Sequence, residues 1–118
     1  MTEGRAISYQ LVIEVSRPIR CRVGRLGIFD FPSGAYVYTG SASRGLEARI
    51  ARHKRSAKTL RWHVDYLLAA PGVRIREVVR SSTSECRLNQ ASKGRVIVPG
   101  FGASDCRTGC RAHLKYLA

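Results

Sequence analysis

Ala35-Tyr36-Val37-Tyr38-Thr39-Gly40-Ser41-Ala42-Ser43-Arg44-Gly45-Leu46-Glu47-Ala48-Arg49-Ile50-Ala51-Arg52-His53 sets the architecture of this chain. Tyr36, Val37, Tyr38 and Thr39 are aromatic or β-branched and predict a strand. Gly40 turns the chain where no side chain blocks a close backbone approach. A helix is expected from Gly45 to about Ser56. With Leu46 at zero and about 100° per residue, His53 lies within roughly 20° of it and Ile50 within about 40° on the other side. Arg49 stands four residues before His53, on the same face. A cation and an imidazole beside the apolar stripe look toward a cleft rather than into bulk water.

Upstream, Ile7 to Val15 is a strand, partly alternating and then continuously apolar, as a central strand would be. Arg17-Pro18 ends it, because proline cannot donate to the ladder. Ile19 to Val23 and Leu26 to Phe31 form a hairpin around Gly24-Arg25. Pro32-Ser33-Gly34 turns into the Tyr36 to Gly40 strand, so the first third is expected to be a four-stranded antiparallel meander. Downstream, Arg61 to Ala70 has helical spacing and stops at Pro71-Gly72. Val73 to Arg80 alternates as a strand. Thr83 to Ser92 makes a third helix, with serine caps and Glu85 in its first turn. Leu114 to Leu117 is a last strand. The expected fold is α/β: one small, mainly antiparallel sheet flanked by three helices, with an extra N-terminal hairpin.

The 118 residues suit a single domain. They contain no 18-residue apolar run, which argues against a membrane span. No charged-then-apolar start is present, which implies a soluble cytoplasmic chain. The formal charge is +13, from 21 Lys plus Arg against 8 acids. Seventeen of the 21 are arginine, the better bidentate phosphate binder. This balance points to a polyanion partner, nucleic acid rather than acidic lipid. Arg44, Arg49, Arg52, Lys54, Arg55, Lys58 and Arg61 face one acid, Glu47. Such a run is a solvated face or, beside a cleft, a backbone clamp that gives affinity without sequence choice.

Tyr38-Thr39-Gly40 with Arg49 and His53 resembles the second half of the GIY-YIG nuclease signature. Ile7-Ser8-Tyr9 stands where the first half would be, with only the tyrosine kept. Glu85-Cys86-Arg87-Leu88 matches the family's Glu-x-x-Leu pattern. Arg61-Trp62-His63-Val64-Asp65-Tyr66-Leu67-Leu68 and Pro99-Gly100-Phe101-Gly102-Ala103-Ser104-Asp105-Cys106 resemble motifs of one small subgroup, whose members are sometimes fused to DNA-repair glycosylases. The resemblance spans residues 7 to 117. It departs from the family in the altered first triplet, the long gap between Tyr9 and Tyr38, and the lack of a counterpart to the late asparagine. It implies a one-metal endonuclease acting in repair or processing and leaving a 5′-phosphate, with Tyr9, Tyr38, Arg49, His53 and Glu85 around the scissile phosphate.

The chemistry of these residue types agrees. Phosphodiester hydrolysis needs an activated water, a cation for the phosphoryl oxygens and help for the leaving group. Arg49 offers a planar fork matched to phosphate. Glu85 can hold one Mg²⁺ or Mn²⁺ that otherwise keeps its waters. Tyr9 or Tyr38 can position or deprotonate the water, and His53 can pass protons near neutral pH. Taken singly, each has a structural reading: buried sheet tyrosines, one more solvated base, a helix-end histidine, a helix-start acid. A basic nucleic-acid-binding module without cleavage, or a partner subunit of a repair enzyme, is the competing function. DNA is the foremost expected partner and RNA the second.

Cys86, Cys106, Cys110 and His113 have spacing compatible with a structural Zn²⁺ site. Reduced cysteines packed as small apolar groups are the other reading, and a disulfide the third. Trp62, Asp65 and Tyr66 share a helical face expected to pack on the sheet. The backbone amides of Gly100 to Asp105 can meet a phosphate or seat the tail.

Overall fold

The structure, a computed structural model, describes residues 5–42, 44–55, 58–103, 106 and 109–117. Strand β1 (Ser8–Val15) is followed by β2 (Ile19–Arg22), a 3₁₀ turn (Gly24–Leu26), β3 (Ile28–Phe31) and β4 (Gly34–Ser41). Helices α1 (Leu46–Lys54) and α2 (His63–Leu68) come next, then β5 (Val73–Ser81), α3 (Glu85–Ala91) and β6 (Leu114–Tyr116). The fold is the expected small α/β arrangement, with a mainly antiparallel sheet and three helices. The expected helix end near Ser56, and the Ser104-Asp105 part of the second subgroup motif, lie outside the described residues. Among the described residues no helix is long and apolar enough to cross a membrane.

The main sheet has the order β5-β1-β4-β6, antiparallel throughout. From Tyr9 on, β1 alternates: Tyr9, Leu11, Ile13 and Val15 are buried on one face, and Gln10, Val12 and Glu14 are half-buried on the other. Opposite them on β4, Tyr38 pairs with Leu11 and Tyr36 with Ile13, so the aromatics share the core face. Ile50 and His53 of α1, Val64 and Leu67 of α2, and Phe101 complete that core. The other face is met by α3, whose flanking Ser92 hydroxyl accepts a hydrogen bond from Gln10 Nε2.

One expectation changes. The first third is not a continuous meander: β1 pairs along its whole length with β4, and β2 and β3 form a separate two-stranded ribbon. Both edges of β1 are taken by long ladders, to β4 and to β5. A four-residue hairpin cannot compete for those edges with eight-residue partners.

Candidate active-site cleft

A cleft of about 670 Å³ opens at the end of the sheet where β1 begins and β4 finishes. Tyr9, Tyr38, Arg49 and Glu85 all line it, together with Gly40, Ser41, Arg61, Trp62, His63 and His113. Four of the five residues expected to be catalytic therefore line one cleft. The fifth, His53, sits just behind it and is buried.

Register explains the placing of the tyrosines. Tyr9 lies directly across from Gly40. A Cβ at Gly40 would fall 2.5 Å from Tyr9 Oη and 2.6 Å from its Cζ, so the phenol occupies space that only glycine leaves. Tyr9 Oη shares a 2.6 Å hydrogen bond with His53 Nε2. Burial raises the pKa of both Tyr9 and Tyr38 far above the phenol range, against the pull of Arg49. Both phenols are protonated at neutral pH.

His53 is buried behind the cleft wall. Burial depresses its pKa to about 4; nearby Lys58, Arg52 and Arg49 act in the same sense and Asp65 opposes them. It is therefore neutral at physiological pH and does not titrate there. Its Nε2 holds the Tyr9 phenol.

Arg49 is aimed rather than loose. Its Nη1 donates to the Ser41 carbonyl at 2.7 Å, and its guanidinium lies 4.8 Å from the centre of the Trp62 ring. Glu85 stands at the first residue of α3, a helix packed on the sheet face opposite α1. It reaches the cleft because it lies at the end of the sheet. Its Oε1 accepts from Ser41 Oγ at 2.6 Å, and its Oε2 lies 2.7 Å from His113 Nδ1. Burial raises the Glu85 pKa, but the bonds from His113 and Ser41 and the charge of Arg49 outweigh it, leaving the carboxylate below its ordinary range and ionised. Ser41 thus ties the cation to the carboxylate, its carbonyl on Arg49 and its hydroxyl on Glu85.

The basic stretch divides into two sets. Arg44, Lys54, Arg55 and Arg61 are exposed, as a backbone clamp requires. Arg52 and Lys58 are engaged internally. Arg52 forms a two-pronged bridge to the buried Asp65 carboxylate, with both distances 3.0 Å, and lies over Trp62 at 4.3 Å. Lys58 Nζ donates to the carbonyls of Arg52, His53 and Arg55, closing the last turn of α1. Asp65 also accepts the backbone N–H groups of Arg61 and Trp62, so it starts α2 and braces α1 together. Trp62 is the extended residue before α2 rather than part of its helical face, and it is the plate on which Arg49 and Arg52 rest.

The glycine loop seats the tail. Gly102 N–H donates to His63 Nδ1 at 2.8 Å, Gly100 N–H to the Arg111 carbonyl, and His113 N–H to the Phe101 carbonyl. Those amides are used within the chain.

Cys86, Cys106, Cys110 and His113 converge, each offering a ligand atom within 4.8 Å of the others, so the group can hold a metal ion. Cys86 Sγ and Cys106 Sγ are 3.4 Å apart, well beyond the roughly 2.05 Å of a disulfide bond. The roles of Ser41, Trp62 and His113 in the cleft are not visible in the sequence pattern. Ser41 adjoins and Trp62 lies within the motifs that carry the resemblance, which is the one signal that could have found them. The His113–Glu85 contact leaves no local trace.

Residues 8–118 match the family model described as a domain of unknown function, DUF123, and the chain belongs to that family. No curated protein and no solved structure matches it.

Proposed function

We propose that this DUF123 family member is a metal-dependent endonuclease cutting phosphodiester bonds in DNA, with RNA the second candidate. The observation that carries the reading is the double attachment of Ser41, which sets the Arg49 fork and the Glu85 carboxylate on one cleft wall. They stand there beside two protonated phenols.

Glu85 suits a hard divalent cation, Mg²⁺ or Mn²⁺. It is ionised, it faces the cleft, and each oxygen keeps a lone pair beyond its one hydrogen bond. Such an ion would supply charge for the phosphoryl oxygens and lower the pKa of a bound water. The chain's own groups do the rest. Arg49 grips non-bridging oxygens and stabilises the charge that grows on them. The Tyr9 oxygen, oriented by His53, receives and positions the attacking water. Exposed Arg44, Lys54, Arg55 and Arg61 hold the flanking backbone.

The sulphur-rich cluster suits a different ion. Thiolates are soft ligands, and three cysteines with a histidine make a closed structural Zn²⁺ site rather than a reacting one.

The test is incubation with labelled single-stranded, branched and duplex DNA and with RNA, in Mg²⁺ or Mn²⁺. Cleavage to 5′-phosphate ends that disappears in Glu85→Ala supports the nuclease. A second reading has its own observation: both Glu85 oxygens are already bonded within the protein. Tight binding with no cleavage of any substrate would make this a nucleic-acid-binding module.

A further inference from the structure

Two segments meet at the metal-competent cluster, the start of α3 and the stretch from Cys106 to His113. Cys86 is the second residue of α3, Cys106 and Cys110 come from the loop beyond it, and His113 immediately precedes β6. His113 is 2% exposed, and its two ring nitrogens have different surroundings. Nδ1 is bonded to Glu85 Oε2, whereas the buried Nε2 is left to the sulphur side of the ring, where His113 interacts with the Cys106 and Cys110 thiols. The nitrogen left for a metal is therefore Nε2, on the far side of the ring from the cleft carboxylate. A ligating histidine that gives its other nitrogen to a carboxylate is the usual outer-shell arrangement of a zinc site.

We propose that a zinc ion bound by Cys86, Cys106, Cys110 and His113 fixes Glu85 in the cleft. The soft metal site and the proposed catalytic site are then one unit, joined through the His113 ring. The proposal rests on the nuclease reading only in calling Glu85 catalytic; the metal site and its outer-shell partner stand without it. The dimensions agree: zinc–sulphur bonds of about 2.3 Å at tetrahedral angles put sulphurs about 3.8 Å apart. Cys86 and Cys106 already stand at 3.4 Å, and the whole set needs to close only from within 4.8 Å. Two ties then act on Glu85. Its neighbour Cys86 anchors the first turn of α3, and the His113 ring, held by the metal at Nε2, aims Nδ1–H at Oε2. Glu85 becomes a positioning partner for the zinc and the hard-metal ligand of the cleft at once.

The experiment uses the full chain, reduced and purified without chelator from zinc-supplemented cells. Elemental analysis gives zinc per chain, chelator competition gives affinity, and added Co²⁺ reports thiolate ligation by its visible bands. One zinc per chain is expected, lost in Cys110→Ser. Glu85→Gln should keep the ion but bind it about 10- to 100-fold more weakly. The Co²⁺ spectrum of the wild-type protein serves if Cys110→Ser does not fold. Absence of both stoichiometric zinc and thiolate–cobalt bands overturns the site. Equal zinc affinity in wild type and Glu85→Gln overturns the link to the cleft. Lack of nuclease activity with these metal results intact would instead count against the nuclease reading, on a separate readout.

Discussion

Tyr9 Oη and His53 Nε2 meet at 2.6 Å inside the cleft wall, joining the first strand to the first helix. The contact replaces solvent for both groups. It holds the phenol at one orientation over Gly40, and burial keeps the imidazole neutral. Stability and the proposed chemistry therefore depend on the same buried pair.

That pair gives stability a defined pH window. The folded His53 pKa is about 4, against an ordinary 6.5. The unfolded chain takes up the proton first as pH falls, so the contribution is complete above about 6.5 and is lost toward 4. The loss is about 3 kcal/mol. Burial lowers the His63 pKa as well, and it acts in the same direction. Urea unfolding of wild type and His53→Gln between pH 7 and pH 4.5 isolates the term: the variant should show a distinctly shallower fall, and parallel curves would refute it.

The Arg52–Asp65 bridge should be worth far more than surface bridges. The Asp65 side chain is 0% exposed and Arg52 only 17%, whereas Arg20 and Asp30 are more than 70% exposed. Arg52→Ala leaves a buried carboxylate without its cation, at a cost of about 3–5 kcal/mol. Arg20→Ala should leave the urea midpoint unchanged. Similar midpoints for the two variants would contradict the buried role.

Gly40→Ala should act on Tyr9 rather than on the backbone. The new methyl would overlap the phenol, which must leave His53 to make room. The expected result is a lower melting temperature and a loss of cleavage approaching that of Tyr9→Phe. Near-normal activity in the alanine variant would mean that the Tyr9 position is not required.

Arg49→Lys keeps the charge but removes the fork that engages the Ser41 carbonyl and rests on Trp62. Single-turnover cleavage should fall by about 100-fold or more while the circular dichroism spectrum is retained. A lysine variant as fast as wild type would show that point charge is enough.

Nucleic-acid binding should weaken steeply with salt. Replacing any one of Arg44, Lys54, Arg55 or Arg61 with alanine should lower the log–log salt slope by about 1. Arg52 is committed to Asp65, so Arg52→Gln should not change that slope. Fluorescence anisotropy across salt concentrations reads both, and a flat wild-type response would remove the clamp.

Local pattern is enough to read most of this architecture. Alternation in β1, the aromatic run in β4 and the 3.6-residue period of α1 each encode which side chains turn inward, because those periodicities are properties of a single element. Tyr38, Arg49 and His53 are legible for that reason, and Tyr9 through the family resemblance. The pairing of β1 with β4 is not, since it depends on which distant strands win the two edges of β1. Nor is the depressed basicity of His53, which comes from neighbours on other elements. Arg52 and Lys58 look in sequence like Lys54 and Arg55, and only folding against Asp65 and the end of α1 takes them out of the solvent-facing set. Glu85 meets Arg49 through Ser41, and His113 meets Glu85, across loops whose closure no local spacing records. Such contacts arise from the summed packing of distant segments, which is why the cleft exists only in three dimensions.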